Sequence, residues 1–551
     1  MINFFNILLF YIFILITSIT ITGYGKSFCK YFDIKCSSLS LEIIFGSFFL
    51  GCLALLINFF YPINTILTNL IFIIGVFLFF YSYNNNQNEI KYLLLITFIA
   101  FLTGIFETAN RPDAGLYHLP YISNLNENKI IIGLNNLHSR FGFTSFLQYI
   151  SSIFNNSFFS TKAIFFPNLI IYASSLIYFL RLSIDSKISN EIRVLALFFG
   201  ISIAVDMNRF SEFGNDENAH MLFYIFITNF IIHFHKNNFE RSNYIKIILL
   251  LSLFLFMTKV TYSILIILVI YIIFNSLKTF KFLEKLNVFL FSIFCLWILK
   301  NFLISGCLIY PIENTCFDNL LWSNNFSIEE SLSAEAWAKG YPDSKVNYKF
   351  VDYISNFEWF STWLNNHFIF IIKKISVILS ILVLIAIYIN RNGKSLNSNI
   401  GFKIVLIFNL IFCLIWFLKF PVYRFGSGIL ISTIVITLVI LLKNFNSDKF
   451  LRIIKITVPL LSILLISKSG DRIIDRVKNN YIHNPWINIY SDNYEKKIIY
   501  KKIYFSNNKK KYYYSTKNNE ICYFGPAPCT HRVKKINYKK FASYDLIFKY
   551  N

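Results

Sequence analysis

The sequence predicts an all-α polytopic membrane protein, with about fourteen transmembrane helices and a small extracytoplasmic C-terminal α/β or β-rich appendage. Three observations carry this. Of 551 residues, 56% are hydrophobic and 15% charged, and the mean hydropathy is +0.54, a balance suited to lipid rather than water. Apolar stretches long enough for a hydrocarbon core of ~30 Å recur along most of the chain. Basic residues collect in alternate loops, the pattern that sets orientation.

The apolar stretches lie at 3–22, 41–60, 62–81, 90–106, 163–181, 193–206, 219–235, 246–258, 261–276, 286–304, 370–390, 403–419, 427–442 and 451–467. Lys259 splits the run 246–276, which reads either as a hairpin or as one bent helix. The first stretch lacks the basic n-region and small-residue cleavage site of a signal peptide, so it is expected to be a retained helix. Lys26, Lys30 and Lys35, then Arg181, Lys187 and Arg193, then Lys236, Arg241 and Lys246, all fall on one side. So do Lys278, Lys281 and Lys285, Arg391, Lys394 and Lys403, and Lys443, Lys449, Arg452 and Lys455. The positive-inside rule makes that side the cytoplasm, with both termini extracytoplasmic.

The chain then divides into N-terminal transmembrane helices (1–89), a transmembrane core (90–467) and an extracytoplasmic C-terminal domain (468–551). The loops 107–162 and 305–369 share the outer face with that domain. Its run from Lys496 to Tyr504 alternates Tyr and Ile with Lys, which reads as short strands. Cys307 with Cys316, and Cys522 with Cys529, are the close pairs expected outside, where disulfides form; Cys522 and Cys529 are expected to be bridged. The formal charge of +23 does not indicate nucleic acid, because most of the chain is apolar and offers no folded basic surface.

Chemistry-bearing residues gather at the outer ends of the spans. Glu107, Asp113, Tyr117, His118, His138 and Arg140 lie in the first outer loop, and Tyr117 to Ile132 suits a helix in the interfacial plane. The 207–218 loop carries Arg209, Glu212, Asp216 and Glu217, with His220 just beyond. Asp216 and Glu217 are candidate oxygen ligands for a divalent cation, or proton acceptors. Lys300 ends a span as an outer cation. Arg424 stands between two apolar spans, where its planar fork matches a phosphate, of a substrate or of a lipid headgroup.

The acid after a span, the interfacial helix, the Lys300-Asn301 and Ser305-Gly306…Tyr310-Pro311 turn and the late Arg424-Phe425-Gly426 loop resemble the GT-C fold of membrane glycosyltransferases. Asp113…Leu116-Tyr117-His118, Gly133 to Phe143, Ala336-Trp337-Ala338 and Ala527-Pro528-Cys529-Thr530 further resemble a family of uncharacterised bacterial polytopic membrane proteins described as glycosyltransferase-like. The likeness runs from about residue 105 to the C-terminus. It implies a GT-C-like core in a bacterial inner membrane, and transfer of a sugar from a polyprenyl-phosphate donor to a cell-surface glycan or lipid acceptor on the outer face. By this resemblance Asp113 matches the general base. Ala114 follows it, where the commonest GT-C pattern has a second acid. Tyr117, His118, His138, Arg140, Lys300 and Arg424 are then expected to bind substrate. A surface-polysaccharide polymerase and a non-enzymatic transporter or flippase for a lipid-linked glycan are the rival readings. A transporter needs ionisable or broken-helix features near the midplane, whereas the charges here collect at span ends.

Overall fold

The computed structural model describes residues 4–82, 87–104, 113–159, 161–206, 214, 216–236, 238–277, 280–323, 326–341, 350–391, 400–442, 444–445, 447–478, 498–517 and 520–549. Glu107, Arg209, Glu212, Lys278, Lys394, Lys443 and Lys496 lie outside the described residues.

The first four long helices are α1 (Phe4–Tyr31), α2 (Leu39–Phe60), α3 (Thr65–Tyr81) and α4 (Gln87–Thr103). Ser38 and Asn64 start α2 and α3 by accepting the Leu41 and Leu67 backbone N–H groups. Lipid offers no hydrophobic drive between helices, so they associate where small residues let backbones meet. A Cβ on Gly25 would stand 1.8 Å from the Glu42 carbonyl oxygen, and one on Gly46 would stand 2.1 Å from that of Ile21. α1 and α2 therefore pack backbone to backbone. Both also pack on α7 (Phe166–Ile184), so the first helices share packing with the following bundle.

Between α4 and α7 the chain runs across one end of the bundle as a π turn (Ala114–His118), α5 (Leu119–Glu127) and α6 (Phe146–Ile153). Ser145 and Gln148 close a capping box at the start of α6. The bundle continues through α8 (Asn190–Asp206), α9 (Asp216–His235), α10 (Asn238–Thr258), α11 (Ile266–Asn275) and α12 (Lys285–Ser305). Lys259 resolves the ambiguous run as a hairpin: α10 ends before it, a 3₁₀ turn (Val260–Leu265) packs back on α10, and α11 follows. Gly306, at φ +80, terminates α12 in the left-handed conformation that favours glycine.

The shorter helices α13 (Phe326–Ala338), α14 (Phe350–Ser355) and α15 (Trp359–Trp363) lie over the same end of the bundle. α16 (Ile369–Ile389), α17 (Ile400–Lys419), α18 (Tyr423–Leu441) and α19 (Ser447–Lys478) complete the helices. α19 runs past 467, to Lys478. Nine helices among the described residues are long and apolar enough to cross a membrane, and Thr65–Tyr81 and Val260–Asn275 are shorter apolar ones. The other segments expected to cross, in α4, α8 and α9, are helices that are shorter or more polar.

The far end of the bundle ties its loops together. Lys26 pairs with Glu89. Lys246 pairs with Glu284 at 2.5 Å, and the Asn243 side chain bonds the Lys35 backbone in both directions. Strands β1 (Asn390–Arg391) and β2 (Asn444–Phe445) pair antiparallel. Every one of these contacts joins loops whose lysines and arginines place them on the same side.

The described residues of the C-terminal appendage form a small strand region. Antiparallel β3 (Tyr500–Phe505) and β4 (Asn508–Thr516) are joined in parallel by β5 (Cys529–Thr530), and β6 (Ile536–Phe541) and β7 (Tyr544–Lys549) form a hairpin. Disulfides join Cys307 to Cys316 and Cys522 to Cys529. The domain docks on the loop between α4 and α7. Ile132 bridges Leu546, the Ser123 hydroxyl donates to the Gly525 carbonyl at 2.6 Å, and the Ala527 N–H donates to Glu127 at 3.0 Å.

Candidate functional site

Four charged side chains from four separate elements meet at the docked end of the bundle. Asp216 opens α9, Lys259 occupies the α10–α11 turn, Arg424 sits in the first turn of α18, and Asp113 precedes the π turn. One Asp216 oxygen accepts from the Lys259 ammonium and the other from Arg424 Nε. The other arm of the guanidinium, Nη1, lies 3.2 Å from Asp113 Oδ2. The side chains of Asp216 and Lys259 are 12% and 13% exposed, whereas those of Arg424 and Asp113 are 42% and 46% exposed. Arg424 is thus anchored from beneath and open above.

The local sequence explains why Arg424 is held so firmly. Pro421 ends the preceding turn, and its carbonyl accepts from the Trp363 indole N–H at 2.5 Å. The Trp416 indole donates to the Val422 carbonyl at 3.1 Å. Gly426 leaves room for Trp416, whose ring a Cβ there would meet at 2.3 Å. His220 Nε2–H donates to the Arg424 carbonyl at 3.0 Å, and its Nδ1 is 2.7 Å from the Tyr262 hydroxyl. The carbonyl is only an acceptor, so this contact assigns the tautomer.

The Tyr117 and His118 rings lie 4.2 Å apart, tilted by 41°. His118 is buried, and the Gln148 amide donates to its Nδ1 at 3.0 Å. Burial pushes the imidazole down to about 4, against the nearby Asp113 carboxylate, which favours the charged form. His118 is therefore a neutral hydrogen-bonding ring at physiological pH. Burial and Asp113 both push the Tyr117 phenol up.

His138 and Arg140 lie apart from this cluster. Arg140 Nε is 3.2 Å from Glu330, Ser139 also bonds Glu330, and the His138 ring faces His531 of the C-terminal domain at 5.2 Å. Lys300, expected as an outer cation for phosphate, is fully buried. Its ammonium lies 3.5 Å from the Trp297 ring centroid and bonds Thr144. The reason is that the Thr144–Ser145 turn folds down over the end of α12, so this cation meets an aromatic face and a hydroxyl instead of the surface. Asp216, a candidate metal ligand, already has both oxygens occupied by Lys259 and Arg424. No group of three His, Cys, Asp or Glu that could hold a metal ion occurs among the described residues. Glu217 is half-buried one residue along α9.

Lys259 is the site residue that the sequence reading passed over. Its signal was present as a single cation in the middle of an apolar run, which a hairpin turn explains better than a kink does. The pinning of the Asp113 turn by the C-terminal domain was not readable. The Gly115 carbonyl accepts from the Tyr523 N–H at 2.9 Å, and a Cβ on Gly115 would stand 2.4 Å from Ile521.

Residues 5–431 match the family model described as Domain of unknown function (DUF8201). The chain belongs to this family. The DUF8201 match takes in α1 to α4, where the resemblance noted above began only near residue 105. It stops within α18, just beyond Arg424, so the complete charge cluster is part of the DUF8201 domain and the C-terminal strands lie beyond the match. Neither the curated proteins nor the solved structures contain a match to the chain.

Proposed function

We propose that this protein is a membrane glycosyltransferase of GT-C-like organisation, crossing the bilayer about fourteen times and transferring a sugar from a polyprenyl-phosphate donor to a glycan or lipid acceptor. One observation carries the reading: Asp113, Arg424, Asp216 and Lys259, scattered over three hundred residues of chain, converge at one end of the bundle. A partly exposed acid beside an anchored, partly exposed guanidinium is what such a transfer requires. Asp113 takes the proton of the acceptor hydroxyl as its oxygen bonds to the anomeric carbon. The bond from that carbon to the phosphate oxygen breaks, and Arg424 receives the negative charge left on the lipid phosphate. Lys259 adds a second positive charge behind it, and Asp216 holds the two cations side by side.

The orientation belongs to the same reading, with the site face and both termini extracytoplasmic in a bacterial inner membrane. It is supported by the basic loops tied together at the far end and by both disulfides lying at the site end, where an oxidising compartment would form them. The test is transfer from a polyprenyl-phosphate sugar in reconstituted membranes, comparing wild type with Asp113→Asn at matched abundance. Retained transfer by the variant would remove the assigned base.

A further inference from the structure

A second polar cluster lies in the seam between the outer loop of the helical core and the C-terminal strands. The core contributes His138, Ser139 and Arg140, with Glu330 of α13 pairing Arg140 at 3.2 Å. The C-terminal domain contributes His531, Arg532 and Lys534, directly after β5. The two imidazoles face each other with centroids 5.2 Å apart and planes at 53°. The Arg140 backbone N–H donates to His138 Nδ1 at 3.1 Å, so the neutral ring carries its proton on Nε2. His531 Nδ1 is buried and has no hydrogen-bond partner among the described residues. A buried polar atom left so is destabilising, and a ligand that bonds it recovers the loss.

Charge points the same way. Burial pushes His138 down to about 3, and His531, Lys534, Arg140 and Arg532 add to the fall. Burial, then Arg532 and Lys534, also lower His531. Lys534 is lowered by burial and by Lys549 and Arg532, against Glu330. The seam is thus positive, with two neutral rings and several N–H donors at its centre. Oxyanions are bound by such a set, cations for charge and neutral donors for direction. Two packed histidines can be purely structural, but that account leaves the His531 nitrogen unpaired among the described residues and the basic residues gathered at one junction.

We propose that the seam between His138–Arg140 and His531–Lys534 is an anion-binding subsite that takes a phosphate or carboxylate group of the glycan acceptor. Its assignment to an acceptor rests on the transferase reading, whereas the binding of an anion there does not. Arg140 acts electrostatically on Tyr117 and His118, so the seam is separate from the Asp113–Arg424 cluster but within its electrostatic range.

The test uses the full-length protein in phosphatidylcholine nanodiscs at constant ionic strength. Thermal unfolding is followed against inorganic phosphate, glucuronate and neutral glucose. Phosphate or glucuronate should raise the midpoint in wild type and in Arg424→Gln, with glucose inert. In Arg532→Gln/Lys534→Gln the concentration needed should rise at least about tenfold. The exposed single variant Arg532→Glu provides the same comparison if the double variant does not fold. A response to phosphate alone assigns a phosphorylated acceptor, to glucuronate alone a uronic one, and to both a site that reads charge. No response in wild type, or one that survives the seam variants, overturns the proposal. So does a response lost in Arg424→Gln, which would put the anion in the donor site. Full transfer by Asp113→Asn would remove the transferase reading while leaving the binding result in place.

Discussion

Arg424 is shared between two carboxylates: its Nε is bound by the buried Asp216, and its Nη1 lies 3.2 Å from the half-exposed Asp113. The two acids have different tasks because of their surroundings. Asp216 is enclosed with two cations, one on each oxygen, which disfavours its protonation. Asp113 is half-exposed and holds the guanidinium through one 3.2 Å contact, which under the proposed reading it yields to the donor phosphate.

Asp113→Asn should abolish transfer while the protein remains inserted and folded. Asparagine keeps the size and the contact with Arg424 but accepts no proton, and loss of general-base help costs on the order of 10²–10⁴ in rate. Transfer assays at matched membrane abundance check it, and near-normal rates would contradict the role.

Arg424→Lys should lose most activity although the charge is kept. A lysine is a point charge on a flexible stem and lacks the fork that reaches Asp216 with one nitrogen and a phosphate with another. A higher KM for the lipid donor is expected. An unchanged KM would place the phosphate elsewhere.

Asp216→Ala should destabilise the protein by about 3–5 kcal/mol, because it leaves Lys259 and Arg424 facing each other without their shared counter-charge. The partial exposure of Arg424 favours the lower end of that range. Pairing the change with Lys259→Met should recover part of the loss, which a double-mutant cycle in thermal unfolding measures.

Stability should fall on acidification below the ordinary histidine range. His118 titrates at about 4 when folded and at about 6.5 when unfolded. The unfolded chain therefore binds the proton first, so the contribution is complete above about 6.5 and is lost as pH falls towards 4. The loss for this ring between pH 6.5 and 5 is on the order of 1–2 kcal/mol. His118→Gln should flatten that part of the stability profile, and an unchanged profile would show that the ring is protonated in place.

Membrane-impermeant maleimide applied to the extracytoplasmic side should label Cys522 or Cys529 only after reduction. Cys36, a half-buried free thiol among the far-end loops, should not react from that side. The reverse pattern would invert the topology.

The pattern of apolar and basic residues is enough to set out the helices of this protein. Apolar runs bounded by lysines give the helices and their common sidedness, because the energetics of lipid insertion act on each segment separately. It also marked Asp113, Asp216 and Arg424, since a charge at a span end is costly wherever the rest of the chain lies. Which of those charges meet follows from the packing of the helices. Lys300 and Arg424 look alike in sequence, each a cation at the end of an apolar span. The Thr144–Ser145 turn folds over one of them and closes it against Trp297, while two tryptophans clamp the loop before the other and hold it beside Asp113. Lys259 joined the site only because its run turned back as a hairpin at the level of Asp216. Contacts between residues hundreds of positions apart, including those that dock the C-terminal strands on Gly115 and His138, depend on the packed geometry of helices that carry no local trace of their partners.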